Sequence, residues 1–186
     1  MNEHEKHDKV AEGWHDLLFG VRRSIRYHAR RRRHFDRLAR TSVFLSLVFG
    51  SATFAALLGV ISKDQATSQH LAAIFALVVT VVSAVDLVLG SALRARDNHD
   101  LEREFSALER EILLAEKIDA PTLAKLTAKR LEIEEKEEPP LRVLDTLCHN
   151  ELVRAMGYDE ATYTKRVSWL QRALANWVDF MPDSIH

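Results

Sequence analysis

The chain has 186 residues, a formal net charge of -1, one cysteine and a mean hydropathy of -0.17. A lone cysteine excludes an internal disulfide, so nothing argues for an oxidising compartment, and six Gly, four Pro and no alternating apolar stretch exclude a β fold in favour of an all-α one. The averages conceal two asymmetries: a pair of long apolar runs, and a charge imbalance in which residues 21–40 hold nine Arg against one acid while residues 97–138 hold thirteen acids against seven Lys and Arg.

Taken in order, the chain first shows apolar residues at Val10, Trp14, Leu17, Leu18, Val21 and Ile25. That three-to-four spacing puts them on one face of an amphipathic helix. Arg22, Arg23 and Arg26 follow, then the block Arg30, Arg31, Arg32 and Arg33, with Arg37 and Arg40 reaching the first apolar run. Phe35 and Leu38 interrupt the block at helical spacing, so the helix is expected to continue unbroken. Three readings compete for these arginines. Basic residues close to a membrane segment hold that flank on the cytoplasmic side. They also attract anionic lipid headgroups, at about 1 kcal/mol per residue near the surface. Phosphate neutralisation on nucleic acid is the third reading, but no groove-reading or base-stacking motif accompanies the charge, and no nucleic-acid partner is expected.

The apolar runs are Thr41 to Ile61, without a charge, and Leu71 to Leu93, whose one charge is Asp86. At about 1.5 Å per residue each can cross a hydrocarbon layer of about 30 Å. They read as a transmembrane hairpin joined by the polar loop 62–70; a buried helical core is the competing reading. The first run lies behind a long charged segment, unlike a cleaved signal peptide. Arg94 and Arg96 flank the second run, whereas the loop carries Lys63 balanced by Asp64. Both termini are therefore expected in the cytoplasm.

Small residues recur every four positions at Ser42, Ser46 and Gly50, at Ser51, Ala55 and Gly59, and at Ala72, Ala76, Thr80 and Ala84. Such stripes allow close helix approach, although small residues are common in membrane helices in any case. Asp86 lies too deep to be a flanking residue, and a carboxylate there costs about 2.5 to 3.5 kcal/mol unless hydrated, paired or protonated. Ser83 and Gly90 share its face. The stripe Ser83, Asp86 and Gly90 could line an aqueous path in an oligomer, or Asp86 could clasp Ser83 or Ser46 across helices; one sequence leaves both open.

Beyond the hairpin, Leu101, Phe105, Leu108, Ile112 and Ala115 follow heptad spacing. They predict an oligomer seam on a rod that continues the second run to about Ile118. Asp119 and Pro121 mark a new helix, Thr122 to Glu138. Pro139 and Pro140 introduce another, Leu141 to Met156, stopped by Gly157. A last helix is expected over roughly Glu160 to Val178, with Tyr163, Val167, Leu170, Leu174 and Trp177 on one face. The basic helix and the acidic segments can complement each other, within one subunit or between neighbours.

No catalytic, cofactor or metal constellation is present: there is no phosphate-cradling Gly loop, no paired Cys and no metal-binding His pair. The adjacent Cys148 and His149 would diverge by about 100° on a helix. No enzyme activity and no cofactor are expected.

Two membrane helices behind an arginine-rich helix, then Leu108-Glu109-Arg110, Glu138-Pro139-Pro140 and Leu147-Cys148-His149-Asn150-Glu151, resemble the SLATT domains over about residues 14–160. These are two-transmembrane effector domains of bacterial nucleotide-signalling conflict systems. The resemblance implies a pore-forming or membrane-disrupting effector of the inner membrane, acting in anti-phage defence or programmed cell death. The chain carries no fused sensor, so the trigger would be a separate sensor protein, a small molecule or assembly itself. The expected organisation is a basic cytoplasmic helix over 1–40, a hairpin over 41–93 and a cytoplasmic helical bundle over 94–186. Membrane lipid and further copies of the chain are its expected partners. The alternatives are a membrane-anchored helical scaffold without a pore, and a small ion carrier using Asp86.

Overall fold

A computed structural model describes residues 3–58 and 64–185, so the end of the first apolar run, from Gly59 to Ile61, and loop residues Ser62 and Lys63 lie outside the described residues. Those described form helices and turns, with no strand among them. The helices are α1 (Glu3–Leu57), α2 (Gln65–Leu89), α3 (Ser91–Leu113), α4 (Ala120–Glu134), α5 (Arg142–Ala155), α6 (Glu160–Tyr163) and α7 (Trp169–Leu174), before a short 3-10 turn, Pro182–Ser184. The chain divides into two units, Arg32–Arg96 and the combination of Met1–Arg31 with Asp97–His186.

The first unit contains the apolar segments of α1 and α2, two helices long and apolar enough to cross a membrane. Their large side chains stay exposed: Leu47 is 68% accessible, Leu87 85% and Val88 84%. A soluble core would bury such residues, so these helices are not the buried core that their length alone allows. Phe49 and Phe75 touch across the hairpin, with ring centroids 5.9 Å apart. Thr53 and Thr80 donate their hydroxyls to the carbonyls of Phe49 and Ala76 one turn earlier, which satisfies both groups without water. Asp64 caps α2 by accepting from the Thr67 amide at 2.9 Å, so the helix starts at Gln65, inside the stretch expected to be loop.

The second apolar run does not continue as one rod to Ile118. α2 stops at Gly90, whose φ of 58° and ψ of 40° are left-handed, and α3 runs only from Ser91 to Leu113. Glycine takes this conformation without the Cβ clash that penalises other residues. The Gly90 amide still donates to Asp86 O at 2.9 Å, and Arg94 N to Gly90 O at 3.0 Å, so the interruption is one residue wide. Phe35 is buried in this unit, with the Arg94 guanidinium 5.6 Å above its ring.

The second unit has two cores. Leu17 and Val21 of α1 meet Phe105, Leu108 and Ile112 of α3 and Leu126 and Ile133 of α4, with Trp14, Leu18, Ile25, Leu101 and Leu123 around them. Tyr27 forms the other with Val143, Leu144, Cys148, Val167 and Ala175. Polar pairs frame both: Arg22 reaches Glu109 at 2.7 Å, Arg23 reaches Asp145 at 3.1 Å and Arg30 reaches Glu151 at 2.6 Å. The basic part of α1 and the acidic helices thus complement each other within one subunit. Asp119 starts α4 by accepting from the Thr122 amide and hydroxyl, bonds that hold its carboxyl below its ordinary value.

The continuous last helix expected over 160–178 is two short ones. Buried Asn150 accepts from the Lys165 amide at 2.9 Å and donates to the Lys165 carbonyl at 2.6 Å. Both backbone groups of Lys165 are thereby taken out of any helix. Ser168 and Gln171 then form a capping box that restarts the chain as α7.

Candidate functional site

The residues singled out from the sequence fall in three environments. On α2, Ser83 is exposed and Asp86 is partly exposed, while Gly90 is the helix break itself. The Asp86 carboxylate has no hydrogen-bond or ion-pair partner among the described residues. In particular it bonds neither Ser83 nor Ser46, so the clasp does not form within one copy. A carboxyl group beside exposed leucines and valines is a polar demand that the described residues of one hairpin leave unmet.

The expected oligomer seam is differently placed. Phe105, Leu108 and Ile112 are 0%, 0% and 2% accessible inside the chain's own core, and Leu101 packs against them. Heptad spacing marks a covered stripe, and α1 and α4 are what cover it. Association through these side chains would require opening that core first.

The arginines divide. Arg30 pairs with Glu151, and Arg31 donates to the Asn176 carbonyl at 3.0 Å, so both are engaged in intrachain contacts. Arg32 and Arg33 also make contacts. Arg37 and Arg40, nearest the apolar run, are exposed and have no ion-pair partner among the described residues.

A buried polar layer has no clear sequence signal, because its members are far apart in the chain. The His28 ring, 3% accessible, lies between Asn98 Oδ1, 3.0 Å from Nδ1, and Glu137 Oε1, 3.2 Å from Nε2. It stacks on Phe105 with centroids 5.7 Å apart and planes at 12°. Beside it, the Tyr27 hydroxyl accepts from the Leu141 amide at 3.0 Å, and burial raises its pKa. A pocket of about 390 Å³ opens here, lined by Arg23, Tyr27, Glu134, Glu137 and Asp145 among others. Burial raises the Asp145 carboxyl, partly opposed by Arg23. The layer locks α1 to the chain on either side of α4.

Among the described residues no group of three or more His, Cys, Asp or Glu is placed to hold a metal. Cys148 is buried and His149 turns away from it, with Nε2 3.0 Å from the Tyr163 carbonyl. Burial pushes the Cys148 thiol up to about 12. Against a pKa near 9.0 the thiolate fraction at pH 8 falls about a thousandfold. Maleimide labelling of the folded protein at pH 8 should accordingly be slower than that of free cysteine by about that factor, and denaturant should restore it. Fast labelling of the native chain would contradict the burial.

Compared with known families, curated proteins and solved structures, the chain has no significant match to any of them. Its class therefore rests on its own geometry: an all-helical protein with two helices long and apolar enough to span a membrane.

Proposed function

We propose that this protein is a homo-oligomeric membrane effector whose hairpins assemble around a conducting path, compromising the inner membrane as an anti-phage or cell-death response. The observation that carries the reading is Asp86. It sits on an apolar helix with no partner among the described residues, so inserting the hairpin favours an arrangement in which neighbouring copies or water surround the carboxylate. Ser83, on the same face, extends the polar strip. The layout resembling SLATT domains supports the same assignment, with Arg37, Arg40, Arg94 and Arg96 holding both termini in the cytoplasm. The trigger is then a separate sensor protein or a small molecule acting on the cytoplasmic helices.

Electrical recording tests this. Induced expression should depolarise cells, and the purified chain should give discrete currents in planar bilayers. A carboxylate ring favours cations, so Asp86→Asn should lower cation over anion selectivity by several-fold while the protein still inserts. Toxicity without depolarisation removes the pore. Currents of unchanged selectivity in Asp86→Asn remove that residue from the lining, and saturating transport without channel currents favours a carrier.

A further inference from the structure

The C-terminal segment from Tyr163 to Met181 exposes apolar side chains although its backbone is tightly held. At α7, Gln171 and the residue that ends the helix, Ala175, face inward, which leaves Trp169 at 74% and Leu170 at 42% accessible. The Gln171 side-chain amide donates to the Met181 carbonyl at 3.0 Å and to Ser184 Oγ at 2.9 Å. These bonds bring the tail back beside the helix. Asp179 accepts from the Arg142 and Val143 amides, both at 2.9 Å, supplying α5 with the cap that its own Leu141 cannot. Within this clamp Met181 takes a left-handed φ of 47°, a conformation unfavourable for a side chain of its kind. Trp177 at 50%, Val178 at 51% and Met181 at 61% accessible point outward.

A segment whose backbone is held in this way while two tryptophans and several aliphatic groups stay exposed suits a surface that a partner covers. The charge around it indicates which. From Tyr163 to Met181 the chain has three basic residues, Lys165, Arg166 and Arg172, against one acid, Asp179, whose carboxylate is taken up in capping α5. All three are exposed, and neither Arg166 nor Arg172 has an ion-pair partner among the described residues. Tryptophan beside arginine suits the headgroup level of a bilayer, where the ring body is apolar and its N–H meets water.

We infer that the segment Tyr163 to Met181 is an interfacial docking surface that lays Trp169 and Trp177 into the headgroup region of an anionic bilayer. The inference rests on the hairpin reading for the presence of the membrane. It concerns a different part of the chain, which the conducting path does not use.

The apolar hairpin contains no tryptophan, so fluorescence reads the tail alone once Trp14 is replaced. Full-length Trp14→Phe protein is reconstituted in vesicles of phosphatidylcholine, with or without phosphatidylglycerol, whose acyl chains are brominated near the headgroup. The expected result is at least about a twofold drop in tryptophan emission in phosphatidylglycerol vesicles, with about half of that quenching lost in neutral vesicles or in the Arg166→Glu, Arg172→Glu variant. Both substituted positions are exposed, and an unchanged circular dichroism spectrum confirms that the variant is folded. Unquenched tryptophan in protein that resists alkaline carbonate extraction overturns the docking surface and leaves the hairpin reading intact. Protein released by carbonate overturns both. Emission that follows the protein-to-lipid ratio instead of bromination assigns the patch to a second copy, and quenching indifferent to lipid charge and charge reversal overturns the anionic partner.

Discussion

Phe105→Ala should lower the unfolding free energy of the unit containing α3, α4 and α5 by about 3–5 kcal/mol. The ring is fully buried, flanked by Leu108 and Ile112, with the His28 imidazole stacked on one face. Truncation removes its transfer free energy and leaves a cavity between helices that are also tied by the Arg22–Glu109 and Arg23–Asp145 pairs and cannot collapse fully. It also strips the stacking surface from His28, which loosens the contacts to Asn98 and Glu137. Denaturant titration in detergent, followed by helical ellipticity, reads the loss. Leu114→Ala, at 79% accessible, should change little and serves as the control. The same variant separates the two uses of the heptad stripe. An inter-subunit seam would show its damage as a concentration-dependent loss of oligomer, whereas an intrachain core loses stability at every concentration.

Exchanging residues 41–93 for an unrelated hairpin of equal length should abolish depolarisation altogether while membrane association is retained. Leu47, Leu87 and their exposed neighbours offer lipid a generic surface that any apolar hairpin supplies. Asp86 with Ser83 on the same face is the part a generic hairpin lacks. If the protein only anchors a scaffold, the exchanged chain keeps its biological effect, since the helices outside the hairpin are unaltered. Growth after induction and membrane potential, measured in the same culture, distinguish these outcomes. Persistent depolarisation in the exchanged chain would falsify the conducting role of the hairpin.

Helical class and the positions of the two apolar segments were legible in the sequence because neither depends on a partner. A run of some twenty uncharged residues has the same transfer free energy wherever the rest of the chain lies. The start of α4 was legible for a similar reason, since Asp119 and Pro121 act on the amides beside them. The break between α6 and α7 was not: Tyr163 and Val167 fit a helical face, and only buried Asn150, arriving from α5, takes both backbone bonds of Lys165. The Ser168-to-Gln171 spacing did carry a local sign of the restart.

The sequence by itself determined the helical class, which segments are apolar enough for a bilayer and where charge of each sign accumulates. These are properties of neighbouring residues. The tertiary structure alone decided what each face meets. It gave the stripe of Phe105, Leu108 and Ile112 to the chain's own core, and it paired Arg30 with Glu151 and Arg31 with the Asn176 carbonyl. It also left Asp86 without a partner among the described residues. Periodicity specifies that a face will be covered, but the covering residues come from far along the chain, and their identity is settled only when those segments pack.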